Sequence, residues 1–509
     1  MNGTPRRPKR PNILWLCTDQ QRYDTLGAQG NRHVRTPRLD ELWRSGTAFT
    51  HAYCQSPICT PSRASFLTGT YPSTCHNTRN GNDTFVGRFP MVTRLLADAG
   101  YDCGLIGKLH LASAYGRIEP RADDGYRYWR YSHGPRDDWP VGHDYADWVR
   151  QHGSVLGELI EDPAGVPAPL HQTTWAAERT IEFITDEQRA ADTPGKPWLA
   201  CVNIYDPHPP FNPPQEYRDR YDPAAMPGPL FRASDLAQQK RLAAVDFQSE
   251  GRPPDDLDIK SPVIPVSPAP EGANAARAEA GDPAHALPAH ASARDARTLQ
   301  AAYYAMIELI DDQVGRVLDA LAASGQADDT LVIFTSDHGE MLGDHGLIQK
   351  GCRFYEGLVR VPLILSWPGR IRAGQQSDAL VELTDLAPTL LEAAGEAVPE
   401  WMQGRSLLPM GTGGAPLDRH RDAVWCEYFD ALDAPDATRA TMYRRGRYKL
   451  VVYHGHGLGE LYDLERDPGE FDNLWNDPEH AALQASLLLD SYAAAMAAVD
   501  VGTKRVGPM

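Results

Sequence analysis

The chain of 509 residues lacks any run of about 18 apolar residues that could cross a bilayer. Its basic start, residues 1–10, passes into a strand-like segment without an apolar signal region, so no membrane partner and a cytoplasmic location are expected. Paired cysteines are also missing. The eight present (17, 54, 59, 75, 103, 201, 352 and 426) show no Cys-x-x-Cys and no disulfide-rich spacing, which points to reduced thiols. Positive charge is scarce. With 50 Lys and Arg against 68 Asp and Glu, the formal net charge is −18, which argues against nucleic acid or an anionic membrane as partner. Positive potential for a small anionic ligand must therefore be local, from a few cations in a cleft. No internal repeat is present. Between about 251 and 292 large apolar residues are almost absent among Pro, Ala, Ser and Asp, so this stretch reads as a surface insertion, or an arm used in oligomer contacts, without catalytic groups.

What is there begins with Ser56-Pro57-Ile58-Cys59-Thr60-Pro61-Ser62-Arg63-Ala64-Ser65-Phe66-Leu67-Thr68-Gly69. Thr60 suits a helix cap, Pro61 the first helical position and Gly69 the end, so Cys59 is expected just before the helix. A thiol there faces unpaired backbone N–H groups, and Arg63, one turn on, adds a fixed positive charge aimed at the same spot. That geometry suits a nucleophile attacking an anionic group. An inert buried thiol is the other reading.

Two apolar runs end in carboxylates. Residues 12–18 lead into Asp19-Gln20, and residues 330–336 lead into Asp337-His338-Gly339-Glu340. Both read as buried parallel strands, whose carboxyl ends are where open α/β sheets place their sites. Asp19 and Asp337 are thus expected to converge. A third strand, 101–107, delivers Lys108-Leu109-His110, and alternation puts Lys108 and His110 on one face. A fourth, 198–204, leads to His208 between Pro207 and Pro209, which fix its backbone. Residues 36–46 read as a capped amphipathic helix and 47–53 as a strand. Glu340, Asp344 and His345 read as groups supporting the site. On the periodic helix expected from 295 to 325, Asp311 and Asp312 read as solvated charges.

Cys-Thr-Pro-Ser-Arg followed by Ala-Ser-Phe-Leu-Thr-Gly resembles the signature of the type I, formylglycine-dependent sulfatases of the alkaline phosphatase superfamily. Gly107-Lys108-Leu109-His110 and the element 343–350, ending in Lys350, are similar to further family motifs. Sulfatases often carry two adjacent aspartates at the first strand end and Asp-Asn at the second. Gln20, His338 and, in a looser match, Asn80 instead resemble the phosphonate monoester hydrolase and choline sulfatase branches.

The resemblance implies an enzyme that hydrolyses sulfate monoesters, aryl or alkyl, to alcohol and inorganic sulfate. Phosphonate monoester or phosphodiester hydrolysis at the same site is the alternative, and a non-enzymatic metal-binding protein with Cys59 left as a thiol is the reading from another class. It further implies that a maturation enzyme converts Cys59 to formylglycine, whose gem-diol on a divalent metal attacks sulfur. Asp19, Gln20, residue 59, Asp337 and His338 are the implied ligands. Oxygen-rich ligation favours Ca²⁺, and the imidazole gives weight to Mn²⁺. Arg63, Lys108 and Lys350 are implied to bind non-bridging oxygens, Asp337 to accept the nucleophile's proton, His208, with or without Lys350, to protonate the leaving oxygen, His110 to resolve the intermediate and Asn80 to contact substrate. The implied fold is α/β and alkaline-phosphatase-like: a large mixed, mostly parallel sheet flanked by helices over residues 1–414, then a smaller α+β subdomain, 415–509, with a small antiparallel sheet and a terminal helix. A homo-oligomer, dimer or tetramer, is expected.

Overall fold

A computed structural model describes residues 10–114, 117–135, 143–162, 164–187, 191, 195–245, 251–257, 295–432 and 437–499. The apolar runs of the sequence become the middle of an eight-stranded sheet. Its order is Gln375–Ser377 (β10), Thr47–Phe49 (β2), Leu363–Ser366 (β9), Thr330–Ser336 (β7), Asn12–Thr18 (β1), Trp198–Ile204 (β6), Asp102–Gly107 (β4) and Tyr128–Tyr131 (β5). From β7 to β5 all neighbours are parallel, and β9 is antiparallel to both of its own, so the sheet is mixed and mostly parallel.

Strand β1 shows why the sequence looks as it does. Ile13, Trp15 and Cys17 enter one core while Leu14 and Leu16 enter the other, and all five are buried. A strand covered on both faces needs no polar alternation, hence the continuous apolar run. One face is covered by the helices Pro37–Ser45, Gln172–Thr185 and Ala296–Ala323, the other by Cys59–Thr68, Val92–Asp98 and Leu386–Ala393.

The long helix Ala296–Ala323 is capped by Asp295, whose side chain accepts the Thr298 N–H at 3.0 Å. Its Asp311 is not the solvated charge expected. It is fully buried and accepts the backbone N–H groups of Arg38 (3.1 Å) and Leu39 (2.7 Å), satisfying the open donors of the neighbouring helix Pro37–Ser45. Asp312 is half exposed and accepts the Tyr217 hydroxyl at 2.7 Å.

Residues 47–53, expected as one strand, divide into β2 and Ala52–Tyr53 (β3), which lies in a separate three-stranded sheet between Val381–Glu382 (β11) and Arg360–Val361 (β8). The C-terminal part forms an antiparallel sheet of Ala423–Phe429 (β12), Arg439–Arg445 (β13), Tyr448–Tyr453 (β14) and Leu458–Asp463 (β15), with the helix Ala481–Ala497 against it. Most of the stretch 251–292 lies outside the described residues. No helix among the described residues is long and apolar enough to cross a membrane.

Candidate active site

Parallel pairing of β1 with β7 sets Thr18 opposite Ser336. The next residue of each strand is a carboxylate, so Asp19 and Asp337 leave the sheet side by side, and the Asp337 N–H donates to the Thr18 carbonyl at 3.2 Å. The row continues through β6, which leads to His208, and β4, which leads to Lys108, whose N–H donates to the Asn203 carbonyl at 3.2 Å. Four adjacent strands thus present their carboxyl ends to one place. Strand β4 stops at Gly107, at φ 98 and so close to Asn203 that a Cβ would lie 2.0 Å from its carbonyl oxygen, a position for glycine. His110 then takes left-handed backbone (φ 59), so the strand alternation expected to pair it with Lys108 does not extend that far.

Cys59 is the first residue of its helix rather than the residue before it, because Ile58 is the extended N-cap. Thr60 is not the cap. Its hydroxyl finds no hydrogen-bond partner among the described residues, and its backbone N–H donates to Asn80 Oδ1 at 3.1 Å, so a side chain from a later loop takes the capping place. Gly69 ends the helix as expected, at φ 70.

The polar groups are tightly engaged. Cys59 Sγ lies 3.1 Å from His338 Nε2, 3.6 Å from Asp19 Oδ1 and 2.8 Å from Lys350 Nζ. Lys350 Nζ also donates to Gln20 Oε1 at 2.9 Å, and Lys108 Nζ pairs with Asp19 Oδ2 at 2.7 Å. Arg63 differs from expectation. It does not point outward past the thiol. Its Nε meets Asp337 Oδ2 at 2.9 Å, its Nη2 meets Asp19 Oδ2 at 3.3 Å and its Nη1 donates to the Lys108 carbonyl at 3.2 Å. It ties the two carboxylates together.

One ligand atom from each of Asp19, Cys59, Asp337 and His338 lies within 4.8 Å of the others, and all four residues are buried. His338 Nδ1 sits 2.8 Å from the Gly339 carbonyl, which leaves Nε2 for the site. Burial pushes His338 down, but Asp337 and Cys59 outweigh it and raise the imidazole to about 9. A proton is drawn to the point where these anionic groups converge, and a divalent cation answers the same field, so the donor set fits a metal. Burial pushes the Asp19 carboxyl up, yet Lys108, Arg63 and Lys350 hold it well below the usual range. Burial and Asp19 raise the Cys59 thiol, and Lys350, Lys108 and His338 overcome them to lower it.

Both flanking histidines are held neutral. Burial, with Lys350 and Lys108, takes His208 well below its ordinary value, and its Nδ1 lies 2.7 Å from the Pro209 carbonyl. Burial, Lys108 and His133 do the same to His110, whose ring stands edge-on to His133 at 4.5 Å. Two supporting carboxylates complete the surroundings. Glu340 was legible beside Asp337. Glu119, which accepts the His110 N–H at 2.8 Å, was missed, because it falls in a segment without periodicity or motif. Asp344 pairs with Arg22 at 2.8 Å, and His345 stacks on Tyr355 at 3.9 Å and lies 3.4 Å from Asp235.

The sulfatase family model matches residues 11–396, and the model for the C-terminal region of N-sulphoglucosamine sulphohydrolase matches residues 343–493. The arylsulfatase of Clostridium perfringens is 29% identical over 492 residues, spanning 92% of this chain and 91% of that protein. The multifunctional alkaline phosphatase superfamily protein PehA of Trinickia caryophylli is 30% identical over 521 residues, spanning 93% of each. The crystal structure of the phosphonate monoester hydrolase of Agrobacterium radiobacter superposes with a TM-score of 0.75 at 27% identity, covering 96% of both chains. With a match that takes in every strand of the large sheet, the chain belongs to the sulfatase family of the alkaline phosphatase superfamily and is a sulfuric ester hydrolase.

Proposed function

We propose that the protein hydrolyses monoanionic aryl or alkyl sulfate esters, with residue 59 as the formylglycine that a maturation enzyme makes from Cys59. The observation that carries this reading is the position of the Cys59 sulfur, 2.8 Å from Lys350 and 3.1 Å from His338 at the start of a buried helix. In this reading Asp19, Gln20, Asp337, His338 and residue 59 hold a divalent metal, Ca²⁺ on account of the oxygen donors, with Mn²⁺ the alternative on account of the imidazole. Bound there, it lowers the pKa of the attacking hydroxyl and offsets charge on the sulfate.

Lys108 and Lys350 take the non-bridging oxygens, and Arg63 contributes by fixing the two carboxylates. Asn80, engaged at Oδ1 by Thr60, offers its amide Nδ2 to the substrate. One hydroxyl of the residue 59 hydrate gives its proton to Asp337 and forms a bond to sulfur as the bond from sulfur to the leaving oxygen breaks. His208 supplies the leaving group's proton from Nε2, since Nδ1 stays on the Pro209 carbonyl. Its ring is neutral in the free site, and an arriving anion offsets Lys350 and Lys108 and raises its proton affinity, so that Nε2 takes up a proton from water as the ester binds. His110, kept neutral by burial and Lys108, then takes the proton of the second hydroxyl. The C=O double bond re-forms, the C–O bond to sulfate breaks, and water restores the hydrate.

Phosphonate monoesters and phosphodiesters form a second reading, favoured by His338 in the buried cluster, by Gln20 following Asp19 in the sequence and by the likeness to the phosphonate monoester hydrolase. These substrates also carry one negative charge, so they suit the same site as a side activity. A panel of nitrophenyl esters, with mass spectrometry of the peptide containing residue 59, tests both. The sulfate ester should turn over fastest, the phosphonate or diester measurably, and the dianionic phosphate monoester least, with an aldehyde at position 59. A phosphate monoester as best substrate, or an unmodified thiol in fully active enzyme, overturns the proposal.

A further inference from the structure

Gln20 is held at every polar atom it has. Its backbone is left-handed (φ 71), its N–H donates to Asp337 Oδ1 at 3.0 Å, and its carbonyl accepts the Tyr303 hydroxyl at 2.6 Å. The side-chain amide is engaged from both ends. Oε1 accepts from Lys350 Nζ at 2.9 Å, and Nε2 donates to Glu340 Oε2. An ammonium offers donors alone and a carboxylate acceptors alone, so these two neighbours admit one orientation of the amide. Glu340 is itself fully buried. Its other oxygen accepts the backbone N–H groups of Leu342 (3.0 Å) and of Gln349, the residue before Lys350. Each of these partners is a donor, which is the surrounding a carboxylate requires.

We propose that Glu340 is a positioning residue for the cation site: it locks Gln20 with the amide oxygen, not the nitrogen, toward Lys350, whose ammonium also meets the Cys59 sulfur, and it is the reason that an amide rather than a carboxylate follows Asp19. The inference rests on the reading of this cluster as a metal site. An amide turns over at almost no steric cost, since oxygen and NH₂ are nearly the same size. Turned over, Gln20 would set its NH₂ against the Lys350 ammonium and its oxygen against the Glu340 carboxylate, a repulsion at both ends. A carboxylate at position 20 would meet Glu340 with no proton between them, two like charges in a buried place. Positions 20 and 340 therefore work as a pair: an amide with a carboxylate, in either order.

The order can be exchanged with isosteric substitutions. In Glu340→Gln the introduced amide keeps its oxygen on the two backbone N–H groups and turns its NH₂ toward Gln20, which must flip and present NH₂ to the cations. In Gln20→Glu two carboxylates face each other. In the double variant the new carboxylate at 20 accepts from the new amide at 340 and keeps an oxygen for Lys350, with the pair's total charge unchanged. Changes in groups that orient a metal ligand typically cost roughly 10- to 100-fold in metal affinity.

The experiment is Ca²⁺ titration by calorimetry of the chelator-stripped wild type, both single variants and the double, with melting temperatures taken with and without metal. Each single substitution should weaken Ca²⁺ binding about 10- to 100-fold, and the double should recover most of the loss together with the metal-induced rise in melting temperature. A double variant no better than the weaker single, or Glu340→Gln binding Ca²⁺ as the wild type does, overturns the pairing while leaving the metal site standing. A wild type that takes up neither Ca²⁺ nor Mn²⁺ overturns the metal reading itself. Should Glu340→Gln fail to fold, Gln20→Glu, which leaves the backbone contacts of Glu340 intact, is compared with the double by the same titration, and absence of rescue again counts against the pairing.

Discussion

Glu119 Oε2 accepts the backbone N–H of His110 at 2.8 Å, and this bond holds the main chain of the proposed base in the left-handed region, at φ 59. Its Oε1 accepts the next N–H, of Leu111, at 3.4 Å, and the Tyr131 hydroxyl donates to Oε2 at 3.2 Å. Successive N–H groups curled around one anion make a nest, and here the anion is a buried carboxylate that burial raises to about 7 against those donors. A histidine in left-handed backbone persists when its surroundings over-determine it.

Glu119→Ala should therefore let His110 drift and slow the step that expels sulfate. Misplacing a reacting group by about 1 Å costs on the order of 10²-fold in rate. The distinguishing sign is where enzyme accumulates: intact-mass spectra of quenched, turning-over enzyme should show a sulfated residue 59, and Glu119→Gln, which keeps an acceptor for the His110 N–H, should lose less. An equal loss in both variants without any adduct would mean that Glu119 serves the fold alone.

Asp311 makes a prediction about pH. Burial raises its carboxyl from 3.8 to about 7, against the Arg38 and Leu39 N–H groups that favour the charge. The folded state thus holds this proton more tightly than the unfolded chain does. Its favourable contribution is complete below about pH 4 and is lost as pH rises to about 7, at a slope of at most about 1.4 kcal/mol per pH unit. Asp311→Asn cannot titrate, so its unfolding free energy relative to wild type should improve as pH rises from about 4 to about 7 and then level off in urea melts. Parallel stability curves would count against this assignment.

What the sequence made legible follows from burial. The strands β1, β6 and β7 are covered on both faces, so their apolar runs stand out and the carboxylates that end β1 and β7 are conspicuous. Their convergence depends on a parallel register that only neighbouring strands have, and Thr18 opposite Ser336 supplies it. Contacts made across elements were not legible. Asp311 looks like any polar residue near the edge of a helix face until another helix starts against it. Thr60 has the right residue type for a cap, yet Asn80 reaches its N–H from twenty positions away. Glu119 carries no local signal at all, and Arg63 stands out from its motif while its direction, toward two carboxylates, needed the packed structure.

The two aspartates should not be equivalent. Asp19 pairs with both Lys108 and Arg63, whereas Asp337 pairs with Arg63 and accepts backbone N–H groups from Gln20 and His338. Asp19→Ala and Asp337→Ala should each abolish metal retention and turnover. Asp19→Ala should also be the less stable when stripped of metal, because it leaves two buried cations short of a partner, and breaking such a pair costs about 3–5 kcal/mol. Metal analysis and denaturant melts of the two stripped variants check the order. Full metal occupancy in either one would remove that residue from the ligand set.

Cys59→Ser tests why the nucleophile should be an aldehyde hydrate. The substituted hydroxyl keeps the position at the start of the helix, close to Lys350 and His338, so a first attack on an aryl sulfate should survive at a reduced rate. The attacking carbon then carries a single oxygen. His110 has no second hydroxyl proton to take, the C–O bond to sulfate cannot break by re-forming a carbonyl, and the sulfate ester should remain on the protein after one turnover. The release of nitrophenol should appear as a burst of about one equivalent, with the intact mass of the variant raised by one sulfuryl group. Sustained multiple turnover without a trapped adduct would show that expulsion of sulfate does not need the second hydroxyl, and that His110 has another part in the reaction.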